Sequence, residues 1–121
     1  MRFDEAVLVV DDDDSCRETL QMLLELDGHY ALSASSAEEA LSLIGRHRPI
    51  CVILDLRMPE VDGAELARRI RTEHGTEMVL IVLTGSVDTN DQEDAEQAGV
   101  DYVLHKPLDV ERLRTMLPRV C

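Results

Sequence analysis

Four stretches of this sequence run from apolar residues straight into a group that can do chemistry. Ile50 to Leu54 lead into Asp55, and Ala6 to Val10 lead into Asp11-Asp12-Asp13-Asp14. Met78 to Leu83 lead into Thr84-Gly85-Ser86, and Tyr102 to Leu104 lead into His105-Lys106-Pro107. A carboxylate serves as a nucleophile or as an oxygen ligand for a hard cation. Adjacent carboxylates repel one another, so water with a helix N-terminus, or a cation, has to offset the Asp run. A plainer reading stands beside each group: a strand-end Asp turns the chain or caps a helix, and a Lys is simply solvated. Asp13 and Asp14 are read in that plainer way, as loop and cap residues rather than metal ligands.

Where the elements place these groups decides between the readings. The run before Asp55 is continuous and of strand length, as a central strand covered on both faces requires. Ala6 to Val10, Tyr30 to Ala34, Met78 to Leu83 and Tyr102 to Leu104 read as four more strands. Between them, Cys16, Leu20, Leu23 and Leu24 recur at helical spacing from Ser15 to a stop at Asp27-Gly28. Ser36 and Glu39 have the form of a capping box ahead of a helix that turns Ala37, Ala40, Leu41 and Ile44 inward. After Pro59 and Asp62-Gly63, a third helix buries Leu66, Ala67 and Ile70 and leaves Arg68, Arg69 and Arg71 mostly solvated. The acidic helix over 90–98 has only Ala95 and Ala98 as inward residues, so it is expected to be the least firmly packed. Asp109 caps a last helix with Val110, Leu113 and Leu117 inward. Strict alternation of five strands with five helices calls for a parallel sheet with helices on both faces. In such a sheet ligands gather at strand carboxyl ends, so the Asp run, Asp55, Thr84 and Lys106 are expected to share one rim.

A length of 121 residues fits one domain, and 45% hydrophobic with 31% charged residues is a globular composition. The net charge of −13, from 25 acids and 12 bases, argues against direct nucleic-acid binding, which needs a basic patch to displace counterions. Every base but Lys106 is Arg, and no Lys or Arg occurs from Thr72 to His105. Cys16, Cys51 and Cys121 are odd in number and unpatterned, which suits a reducing compartment, with Cys51 a small core residue. No apolar run reaches transmembrane length, the N-terminus lacks a signal-type pattern, and a cytoplasmic location is expected. The four His residues show no metal-ligand spacing.

Val9-Val10-Asp11-Asp12, Asp55-Leu56-Arg57-Met58-Pro59 with Asp62-Gly63, Leu83-Thr84-Gly85, and Gly99 seven residues before Lys106-Pro107 together resemble the receiver domain of bacterial two-component response regulators. Each motif alone is weak; their order and spacing are specific, and the resemblance spans essentially the whole chain. It implies a flavodoxin-like (βα)5 three-layer sandwich, with a parallel five-stranded sheet of order 2-1-3-4-5, as a single receiver domain over 1–121. It implies that Asp55 is the phosphoacceptor and that Asp11, Asp12 and Asp55 hold Mg²⁺ with the main-chain carbonyl of Arg57. Thr84 then bonds the phosphoryl group and Lys106 pairs with it. The chemistry is coherent: a carboxylate attacking a negatively charged phosphoryl group needs positive charge and in-line positioning. Arg57 and Ser86, two residues beyond Asp55 and Thr84, flank the expected water approach and tune dephosphorylation. One departure concerns the aromatic that many receivers carry three residues before the lysine; here that position is Val103, and Tyr102 precedes it. A one-place shift on a strand sends the ring to the opposite face, which puts aromatic switching in doubt.

The expected function is phosphorelay signalling. A sensor histidine kinase or phosphotransfer protein donates to Asp55, and an altered surface is presented to a downstream protein or a tethered effector domain. On this reading the chain is not an enzyme, beyond promoting its own phosphorylation from small donors and its own dephosphorylation. The competing readings are a receiver-like binding module rarely phosphorylated, a haloacid-dehalogenase-type phosphatase, and a flavin carrier. The phosphatase needs a second Asp where Arg57 stands, and the flavin carrier needs aromatics and a phosphate loop that the sequence lacks. The acidic helix and Arg112, Arg114 and Arg119 offer opposite charges for a phosphorylation-linked homodimer.

Overall fold

The computed structural model describes residues 6–56, 58, 62–75, 77–85, 89–106 and 109–116. The apolar runs form five strands: β1 (Ala6–Val10), β2 (Tyr30–Ala34), β3 (Cys51–Asp55), β4 (Val79–Thr84) and β5 (Tyr102–His105). Neighbouring strands pair in parallel in the order β2-β1-β3-β4-β5, the flavodoxin-like arrangement. The helices are α1 (Asp14–Leu26), α2 (Ala37–His47), α3 (Gly63–His74), α4 (Thr89–Gln97) and α5 (Val110–Met116).

Alternation along the strands divides the core into two layers. Leu8, Val10, Val52, Leu54, Leu80 and Val82 pack with the inward residues of α2, α3 and α4. Val7, Val9, Cys51, Ile53, Ile81 and Leu83 pack on the other face with Leu20 and Leu24 of α1 and Leu113 of α5. Both faces are covered, so β1 and β3 are buried at every position and read as unbroken apolar runs. Burial also pushes the Cys51 thiol far above its ordinary range, which leaves it an inert core group.

The helix starts follow their caps. Asp13 accepts the Cys16 amide, Ser36 accepts the Glu39 amide, Asp62 accepts the Glu65 amide, and Asp109 accepts those of Glu111 and Arg112. The carboxylate of Glu39 reaches back 2.8 Å to the amide of Ser35, one residue before the cap. Asp13 and Asp14 are therefore cap and first-turn residues, as the capping preferences indicate.

Four side chains depart from expectation. Cys16 is exposed, and the apolar contacts of α1 are left to Leu20 and Leu24. Leu23 and Leu41 are only partly buried. Arg71 is withdrawn from solvent, with its side chain 13% exposed, because carbonyls of neighbouring segments converge on the last turn of α3. Val110 and Leu117, expected inward on α5, lie outside the side chains described. Among the described residues no helix is long and apolar enough to cross a membrane.

Ile53 is fully buried in the middle of the central strand. Ile53→Ala is expected to cost about 2–5 kcal/mol in urea denaturation, while Met22→Ala, on the exposed side of α1, stays within about 0.5 kcal/mol.

Candidate functional site

β1 and β3 lie side by side, and the chain leaves them toward opposite sides of the sheet, to β2 and to β4. This opens a crevice at their carboxyl ends. Asp11 directly follows β1 and Asp55 ends β3. The Asp11 carboxylate accepts the Asp13 amide at 2.9 Å, which turns the Asp run across the strand end. As a result Asp11, Asp12 and Asp55 each offer a carboxylate oxygen within 4.8 Å of the others. Asp11 and Asp55 are buried and Asp12 is exposed, so the cluster is closed toward the protein and open toward water.

Lys106 reaches in from the far strand, its Nζ 3.5 Å from Asp55 Oδ1. Its main-chain amide donates to the Thr84 carbonyl at 2.8 Å, which ties the ends of β4 and β5 together. Thr84 itself is buried, on the strand next to Asp55 and one residue beyond Asp55's register partner Leu83. All four signals read from the sequence thus lie on one rim. Arg57 and Ser86 lie outside the described residues.

Asp55 is also held from behind. Leu56 donates its amide to the Leu83 carbonyl at 2.9 Å, and Gly63 donates to the Leu56 carbonyl at 2.7 Å. A Cβ at Gly63 would lie 2.6 Å from the Asp55 carbonyl oxygen and 2.8 Å from Leu56 Cα. These are main-chain atoms of the strand end and cannot rotate away, so only glycine lets α3 begin here.

The electrostatic balance is negative. Burial raises the Asp11 carboxyl above its ordinary range; Asp55 and Asp12 add repulsion, while the Asp13 amide and Lys106 oppose it. Sequence reasoning left open what offsets the Asp run, and it missed Arg17. This side chain donates to the Asp11 carbonyl at 2.9 Å and pairs with Asp14. The available signal was its placement three residues after Asp14, one helical turn on. An oxygen-only donor set with one open side suits Mg²⁺, which binds few carboxylates and keeps several waters. On β5, Val103 packs against the face covered by α2, α3 and α4, and Tyr102 is 41% exposed. The aromatic is therefore absent from the α4 side, as its shifted position implies.

Two predictions follow from this packing and charge. Gly63→Ala is expected to destabilise by about 1–3 kcal/mol through overpacking. Gly45→Ala, inside α2 with its nearest neighbour at 3.9 Å, is expected to stabilise by about 0.5–1 kcal/mol, and urea melts compare the two. For Asp11, a carboxyl whose folded pKa lies above its unfolded value binds its proton more tightly when folded. Its charge therefore costs stability above the folded pKa, and the cost is relieved as pH falls through that value. Asp11→Asn keeps an acceptor for the Asp13 amide, so in chelator it is expected to stabilise the protein at pH 7. The gain shrinks as pH falls through the carboxylate range; denaturation at several pH values measures it.

The family model of the response regulator receiver domain matches residues 7–118. Response regulator MprA of Mycobacterium sp. strain KMS is 38% identical over 117 residues, which cover 93% of this chain and 50% of that protein. The chain thus spans about half the length of such relatives. The crystal structure of a response regulator receiver protein from Pseudomonas putida superposes with a TM-score of 0.87 at 34% identity, covering 96% of this chain and 97% of that one. A CheY-like receiver domain from Methanospirillum hungatei JF-1 gives 0.85 at 25% identity, covering 93% of each chain. Receiver domains are signalling domains rather than classical enzymes; in general they bind Mg²⁺, and response regulators interact with histidine kinases and downstream effectors. Sheet order, rim and sequence likeness agree, and the chain belongs to the response regulator receiver-domain family.

Proposed function

We propose that the chain, over 1–121, works as one phosphoacceptor domain of a phosphorelay, taking a phosphoryl group onto Asp55 from a sensor histidine kinase or phosphotransfer protein. The observation that carries this reading is the meeting of Asp11, Asp12 and Asp55 within 4.8 Å, with Lys106 3.5 Å from Asp55. A carboxylate oxygen of Asp55 forms the new bond to phosphorus as the donor nitrogen departs in line. Asp11 and Asp12, with Asp55 and the Arg57 carbonyl, hold Mg²⁺, which when bound neutralises charge on the phosphoryl oxygens. Lys106 exchanges its pairing with the free carboxylate for one with the phosphoryl group, where a compact ammonium on a flexible stem is suited to follow the charge. The Thr84 hydroxyl bonds the same group from the neighbouring strand.

The same constellation supports phosphorylation from small donors, and water reverses the modification. Arg57 and Ser86 tune that reversal. The altered surface is read by a downstream protein or a tethered effector domain in the cytoplasm, without direct contact to nucleic acid or membrane. Exposed Arg112 on α5 and the acids of α4 supply charges for a phosphorylation-linked homodimer; the Arg114 side chain and Arg119 lie outside the described residues.

Intact-protein mass after incubation with acetyl phosphate and Mg²⁺ tests the reading. A single phosphoryl gain is expected, absent in Asp55→Asn and without Mg²⁺, and labile to hydroxylamine. No gain, together with no binding of beryllofluoride and Mg²⁺, overturns it in favour of a constitutive binding module. Exchanges at Arg57 and Ser86 are expected to change the rate of phosphoryl loss without abolishing labelling; unchanged rates would remove both from the site.

A further inference from the structure

Asp11 is tied to the protein at three points. Its amide continues the ladder between β1 and β2 by donating to the Ala34 carbonyl at 3.1 Å, and its carboxylate accepts the Asp13 amide at 2.9 Å. Its carbonyl accepts Nη1 of Arg17 at 2.9 Å. That carbonyl belongs to the peptide unit joining Asp11 to Asp12, and the unit is planar, so one bond orients the chain on both sides of it. Asp12 is exposed, and core packing does not aim its carboxylate. The direction in which that side chain leaves the backbone therefore depends on the plane that Arg17 holds.

Arg17 serves its own helix poorly. A long side chain on a helix leans toward the amino end. This one reaches back past Asp14, the first residue of α1, to a carbonyl three residues earlier. A cation in that place opposes the helix macrodipole, which favours negative charge at the amino end. Pairing with Asp14 offsets part of the cost, but the Asp14 side chain is 77% exposed and a pair of that kind adds little. The Arg17 side chain is itself drawn in, at 14% exposed, so its bond to the Asp11 carbonyl is charge-assisted and shielded from water. What the arginine stabilises is the strand end rather than the helix.

We propose that Arg17 is a positioning residue of the metal site. By fixing the peptide between Asp11 and Asp12 it aims both carboxylates toward Asp55 and so sets the affinity for Mg²⁺. A guanidinium has no acceptor and cannot itself ligate the ion. The role rests on the phosphoacceptor reading above and deepens it. Charge and position act here in opposite directions. Beside three acids the guanidinium is a competing cation, so by charge alone its loss would tighten Mg²⁺ binding. By position its loss weakens that binding.

Mg²⁺ titration of the whole chain, followed by amide NMR shifts with urea melts alongside, separates the two. Arg17→Met, which keeps an unbranched stem and removes the guanidinium, is expected to raise the Kd for Mg²⁺ by about tenfold or more. In the metal-free protein it is expected to shift the amides of Asp12 and Asp13 while those of Leu8 and Val9 stay in place. Arg17→Lys, which keeps the charge without the fork that reaches two acceptors, is expected to fall between, and it serves if Arg17→Met does not fold. Leu20→Ala, in the core on the same helix, is expected to lower the urea midpoint further than either variant yet leave the Kd within about twofold. An unchanged or lower Kd in a folded Arg17 variant, unmoved amides at Asp12 and Asp13, or an equal loss of affinity in Leu20→Ala overturns the role of Arg17 and leaves the phosphoacceptor reading standing. Wild-type protein that does not bind Mg²⁺ overturns that reading, and the role of Arg17 with it.

Discussion

Carboxylate oxygens held within 4.8 Å of one another repel, and the fold keeps Asp11, Asp12 and Asp55 together against that repulsion. The holding force comes from elsewhere in the molecule. Two layers of aliphatic side chains clamp β1, β3 and β4, so the strand ends carrying Asp11 and Asp55 cannot separate without opening a close-packed core. Gly63 brings α3 against the main chain of Asp55, and Arg17 anchors the Asp11 carbonyl. Burial is the main cause of the raised Asp11 carboxyl, and repulsion from Asp55 and Asp12 adds to it. A hard cation of the kind receiver domains in general bind would offset that repulsion.

The same constraint explains why stiffness is uneven. Around β1 and β3 every strand position is buried, whereas among the described side chains of α4 only Ala95 is. A site that holds like charges together needs a rigid base. Thr84 stands at the boundary: it is buried at the end of a central strand, its carbonyl is bonded to Lys106, and the chain to α4 begins just beyond it. The end of β4 thus joins the rim that carries Asp55 to the chain leading into α4.

Most of this was legible in the sequence, because the signals are local. Unbroken apolar runs mark strands buried on two faces, and Asp13, Ser36, Asp62 and Asp109 stand where the helices begin. The rim followed from topology, since each reactive group came at a strand's carboxyl end. What the sequence did not reveal depends on contacts between distant segments. Arg71 looks like its neighbours Arg68 and Arg69, and only the approach of Gly99 and Asp101 from beyond β4 makes it a buried donor. Cys16 keeps helical spacing with Leu20, yet spacing does not say where the sheet ends. The need for glycine at position 63 is likewise invisible until α3 is seen against Asp55, because its cause is a distance and not a backbone angle.

The placement of Tyr102 and Val103 bears on how the rim is coupled to the surface. Val103 occupies the α4 side of β5 and packs with the cluster that contains Ala95 and Ala98, leaving no ring there to rotate. A valine has one stiff torsion and cannot exchange between buried and exposed positions as an aromatic does. Main chain ties the strand ends together on this rim, through the bond of the Lys106 amide to the Thr84 carbonyl. At the opposite rim the bonds of Arg71 to Gly99, Met78 and Asp101 join α3, β4 and the turn into β5, so the two ends of the β4–β5 pair are tied by different means.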